Sequence, residues 1–144
     1  AVQNIRTDAR GEGRCGMSMW QPRLLGEWED KTTDDVKVAF GDYSRDFSRK
    51  VAPDESDGFT IIVANYTQGG YEGYAQLLTE KNGAIFEIYA SHCSCYDLEG
   101  QWDPKPVTRA YVEHRCKNAV AESDYNGTKE YLAACAEWLA ATAA

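Results

Sequence analysis

The sequence predicts an α+β fold: an antiparallel β-meander of about three to four strands, followed by two C-terminal helices packed on one face. Three observations predict it. Residues 59–66 are β-branched and aromatic, and two further strand-like runs follow at 71–80 and 84–90. The punctuation between them is short: Gln68-Gly69-Gly70, then Lys81-Asn82-Gly83, whose Asn-Gly pair suits a tight hairpin because both residues tolerate positive φ. Beyond residue 106 the period changes, and Tyr131, Leu132, Cys135, Trp138 and Leu139 fall on one helical stripe.

Taken in order, residues 1–35 read as an N-terminal arm. Gly11-Glu12-Gly13-Arg14-Cys15-Gly16 is loop-like, and Met17, Met19, Trp20, Leu24, Leu25 and Trp28, interrupted by Pro22 and Gly26, form an apolar stretch suited to packing on the main body. Glu27, Glu29, Asp30, Asp34 and Asp35 make the densest acidic run, with Lys31 the one basic residue among them. Residues 36–90 form the sheet: 36–40 alternate as a short strand, 42–57 are a polar connection closed by a Pro-Asp-Glu-Ser-Asp-Gly turn, and the meander follows. Residues 91–106 are a loop rich in Cys and His. Residues 107–141 carry the helices, the first over 107–120 with Pro106 suited to its first turn, the second from Thr128 as N-cap. No repeat or linker divides the 144 residues, so a single domain over 1–144 is expected.

The formal charge of −8 argues against a general phosphate-backbone binder, which needs clustered Lys and Arg. Here the basic residues are dispersed: Arg6, Arg10 and Arg14 alternate with Asp8 and Glu12, and Arg45, Arg49 and Lys50 neighbour Asp42 and Asp46. Direct nucleic-acid binding is not expected. An acidic surface keeps a protein soluble or meets a basic partner, and Glu27, Glu29, Asp30, Asp34 and Asp35 are the candidate protein-binding residues. No stretch approaches the roughly twenty apolar residues of a membrane span. Five Cys without a dense framework fit a reducing cytosol better than a disulfide scaffold.

Ser91-His92-Cys93-Ser94-Cys95-Tyr96-Asp97-Leu98-Glu99-Gly100-Gln101-Trp102 concentrates a His, two thiols, two carboxylates and two aromatics within one short segment. Three chemistries are open to it. The first is a zinc site, with Cys93, Cys95 and a remote residue such as His114 as ligands; no other cofactor is suggested. The second is a reactive thiol, Cys93 or Cys95, paired with His114. The third is structural: the thiols fill a tight core while Tyr96, Leu98 and Trp102 anchor the loop. Tyr66, Tyr71 and Tyr74, near a hairpin end, serve either as a stacking platform or as core and cross-strand partners.

A strand followed by this Ser-His-Cys-Ser-Cys-Tyr-x-Leu-Glu-Gly-Gln-Trp segment, Asp103-Pro104 and a helix resembles a group of small bacteriophage and prophage proteins, over roughly residues 59–109. The resemblance implies a phage setting and a characteristic site of His92, Cys93, Cys95, Tyr96, Glu99, Gly100 and Trp102, and carries over no catalytic residues. A phage-encoded, non-enzymatic inhibitor follows as the expectation. It would act in the host cytoplasm on a host protein with a basic nucleic-acid-binding groove, of CRISPR-effector or restriction type. The alternatives are a zinc or thiol protein centred on Cys93 and Cys95, and a minor virion or assembly component.

Overall fold

The computed structural model describes residues 20–93, 97–119 and 126–143. Its centre is the expected meander: β4 (Thr60–Gly69), β5 (Glu72–Lys81) and β6 (Ala84–His92), paired antiparallel in sequence order. Asn82 and Gly83 both take positive φ, 54° and 84°, and close the β5–β6 hairpin as their sequence demands. The sheet is wider than the sequence predicts. From the N-terminal arm, β1 (Arg23–Gly26) adds in parallel to β4, and β7 (Lys105–Val107) adds antiparallel to β6. The result is a mixed five-stranded sheet in the order β1-β4-β5-β6-β7.

Three local expectations are corrected. Residues 36–40 are not a strand: α1 spans Thr33–Ala39. Thr32 and Asp35 form a reciprocal capping box, and Val36 and Phe40, one turn apart, bury together. Pro106 sits in edge strand β7, where a missing N–H is tolerated, and α2 (Arg109–Lys117) starts behind Thr108, whose hydroxyl accepts from the Tyr111 amide. The last helix, α3 (Thr128–Ala141), is capped by Gly127 rather than Thr128. Gly127 has φ 80°, and a Cβ there would lie 2.7 Å from Asn65 Nδ2. The Thr128 hydroxyl instead accepts from Gln76 Nε2. A short two-stranded ribbon, β2 (Asp42–Tyr43) with β3 (Lys50–Val51), and a 3₁₀ turn over Asp54–Ser56 fill the connection to β4.

Both sheet faces are covered. On one, α2 and α3 bury Val112, Tyr131, Leu132, Cys135 and Trp138 against Ile62, Val63 and Leu78. On the other, α1 and the loop after β6 bury Val36, Phe40, Leu98 and Trp102 against Ile61, Leu77 and Ile88. A β-bulge between Ile61 and Val63 shifts the register of β4 and puts Ala64 and Tyr66 on the α1 side. On the α2/α3 side, buried Glu87 receives Tyr131 Oη at 2.8 Å and Arg115 Nη1 at 3.0 Å. This pairs a desolvated carboxylate with donors from both helices. No helix among the described residues is long and apolar enough to cross a membrane.

Candidate functional site

The bulged β4 delivers Tyr66 to the end of the sheet where β6 delivers His92. Gly73 of β5, directly opposite His92, leaves room for the ring: a Cβ at Gly73 would stand 2.2 Å from His92 Nε2. The Tyr66 hydroxyl and His92 Nε2 are 2.5 Å apart, and His92 Nδ1 is 2.9 Å from the Cys93 carbonyl oxygen. A carbonyl only accepts, so Nδ1 carries the proton in the neutral ring, and Tyr66 donates to Nε2. Asp97 Oδ1 lies 3.9 Å from Nε2, while Asp97 Oδ2 is 3.5 Å from Lys50 Nζ. Lys50 in turn donates to the Ala39 carbonyl at 3.0 Å. Burial, then the charges of Asp97 and Glu27, push the Tyr66 hydroxyl up to about 12, so it stays a neutral donor.

Around this pair lie two adjoining cavities of about 660 and 650 Å³ that share His92, Cys93, Asp97 and Glu99 as a common wall. Glu72, Tyr74, Ser91 and Gln101 complete the first; Tyr43, Tyr66, Gln68 and Tyr71 line the second. Tyr71 is 78% exposed and Tyr43 57%, values unusual for rings this size. The lining carries carboxylates from the start of β5 and from the loop after β6, and Glu27, from the turn after β1, acts on the same Tyr66.

The segment singled out in the sequence divides into anchors and wall. Leu98 is fully buried, and Trp102 meets Phe40 and Phe59 edge-on, at 5.3 and 5.5 Å between ring centroids. Gly100, at φ 75°, donates its amide to the Phe40 carbonyl. Gln101 grips the strand edge beyond β7, with Oε1 accepting from the Ser91 amide and Nε2 donating to the Ser91 and Asp97 carbonyls. These residues hold the loop so that His92, Cys93, Asp97 and Glu99 face the cleft.

Other expected site residues land as follows. Cys95 and Tyr96 lie outside the described residues, as do Cys15 and Ser94. Cys93 is exposed on the cleft wall. His114 is exposed on α2, the helix on the opposite face of the sheet from His92, and its carbonyl accepts from Asn118 Nδ2. Among the described residues no group of three or more His, Cys, Asp and Glu is placed to hold a metal ion. Cys116 and Cys135 belong to the α2–α3 interface, where burial raises both thiols and leaves them poor nucleophiles.

The acidic run is exposed at Glu27, Glu29, Asp30, Asp34 and Asp35, and buried Trp28 anchors it by packing tilted against Tyr66, 5.1 Å between ring centroids. Asp35 is held below its ordinary range by the Thr32 amide and hydroxyl, so its first role is to cap α1. Tyr66, Tyr71 and Tyr74 do not share a platform. Tyr66 is buried on the α1 side, Tyr71 is on the hairpin tip, and Tyr74 faces the α2/α3 side beside Gln76's column. Glu72 and Tyr43 were not legible as site residues, because only strand register and the packing of the β2–β3 ribbon bring them to His92; Tyr71 was visible as a candidate stacking ring, but not its place beside His92. No protein-family profile matches the chain, and neither a curated protein nor a solved structure shows significant similarity to it.

Proposed function

We propose that the protein is a non-enzymatic binder that sets its acidic end into the basic, nucleic-acid-binding groove of a host protein and blocks it. The setting is the phage infection implied by the resemblance of residues 59–109, and the target class is a defence nuclease of CRISPR-effector or restriction type. One observation carries the reading: carboxylates from separate segments (Glu72, Asp97 and Glu99) line an open cleft at one end of the sheet, and Glu27 acts on Tyr66 beside it. Lys50 pairs with Asp97 there. A concave wall of one sign focuses its field and raises the encounter rate with a basic surface. The exposed rings of Tyr71 and Tyr43 add rigid contact area and faces on which Arg and Lys stack. His92 has both ring nitrogens engaged, which favours a preorganised wall over a proton-transfer centre.

Capture from host lysate on immobilised protein tests this. The expected result is a nucleic-acid-handling protein that elutes with rising salt and is displaced by excess duplex DNA or RNA. A partner that ignores both competitors contradicts the proposal.

A further inference from the structure

On the α2/α3 face of the sheet, Tyr74 pairs across strands with Ser91, and Gln76 with Tyr89. The two tyrosines are therefore diagonal neighbours on one face, roughly 7–8 Å apart by sheet geometry and somewhat closer at Cβ. Their hydroxyls are drawn to opposite sides. Tyr74 donates to Glu72 at 2.9 Å, while the Tyr89 hydroxyl accepts from Arg115, whose guanidinium stacks 5.6 Å from the Tyr89 ring centroid. Between them is a slot of about 270 Å³ lined also by Gln76, Ser91, Gln101 and Asn126. One flat ring seated between two others needs about two van der Waals gaps of roughly 3.5 Å, and the slot between these diverging side chains is where that room lies.

The floor of the slot supplies an independent sign. Gln76 is 1% exposed. Its Nε2 is committed to the Thr128 hydroxyl at 3.1 Å and to the Asn126 carbonyl at 3.5 Å, and the carbonyl fixes which end of the amide is nitrogen. Its Oε1 is buried with no hydrogen-bond partner. Buried acceptors are almost always satisfied, so an orphan on the floor of a cavity marks where a donor belongs.

We propose that this slot binds a neutral planar heterocycle bearing an amino group, of the nucleobase type. The ring stacks between Tyr74 and Tyr89 and its N–H reaches Gln76 Oε1. Charge narrows the class further. Tyr74, Ser91 and Gln101 also line the cleft that holds Glu72, Asp97 and Glu99, so a phosphate attached to the ring is repelled. A free base or nucleoside fits; a nucleotide does not.

The test is titration of the intact protein with adenosine, with purine riboside (the same nucleoside without the amino group) and with AMP, followed by amide NMR shifts. Adenosine should give saturable shifts centred on Ser91 and Asn126, with purine riboside and AMP each about tenfold weaker or more. Tyr74→Ala, at a half-buried position that leaves the Gln76–Thr128 contact intact, should weaken adenosine at least tenfold, and Tyr74→Phe should largely preserve it. Equal affinity for the two nucleosides overturns the proposal, as does adenosine binding indifferent to Tyr74→Ala. Absence of saturable shifts up to millimolar adenosine also overturns it.

Discussion

Gly73 gives His92 its place, and His92 gives the buried Tyr66 hydroxyl its acceptor. Gly73→Ala should therefore push the imidazole out, orphan the phenol and cost about 1–3 kcal/mol, read from chemical denaturation. The Nε2 resonance of His92 should lose its hydrogen-bonded shift in the same variant. Tyr66 also sets an alkaline limit. Its hydroxyl is raised from the ordinary 10 to about 12, so the fold favours the neutral phenol. That contribution is whole below pH 10 and is lost as the pH climbs through about 12. Unfolding midpoints measured across this window should fall less steeply in Tyr66→Phe than in the wild type. His92 is visible in the sequence as a chemically loaded residue, but its partner is not. One bulge at Ile61–Val63 decides which face Tyr66 occupies, and a one-residue slip inverts the answer.

The meander was legible because its signals are local: β-branched runs and an Asn-Gly turn whose positive φ angles the structure reproduces. Helix α1 was not, because Val36, Val38 and Phe40 alternate like a strand. Val36 and Phe40 also satisfy a helical spacing, and the Thr32–Asp35 capping box decides between the two. Strands β1 and β7 are too short for their own pattern to declare them, and they form only because β4 and β6 offer open edges. Besides their apolar packing, the helices engage the sheet through a buried ion pair, Arg115–Glu87. Arg115→Leu strands Glu87, leaving Tyr131 as its remaining donor among those described, and should destabilise the protein by about 3 kcal/mol, measured as a shift in denaturation midpoint at constant slope.

Across the whole molecule, the charge of −8 was plain in the sequence, but its placement was not. The run from Glu27 to Asp35 is visible in the sequence because its acids are neighbours in the chain. Asp97 and Glu99 are near neighbours in a second segment, and Glu72, 25 residues before Asp97, meets them only in the folded protein. If that convergence is the working surface, neutralising it must slow encounter with the partner more than it alters the bound complex, because steering acts before contact. The direct measurement is the association rate of the captured host protein with the wild type and with Glu72→Gln/Glu99→Gln, from low salt up to 1 M. At low salt the variant should associate on the order of tenfold more slowly. The two curves should merge at 1 M, where screening acts over about 3 Å. Equal rates at low salt, with the partner still bound, would contradict it.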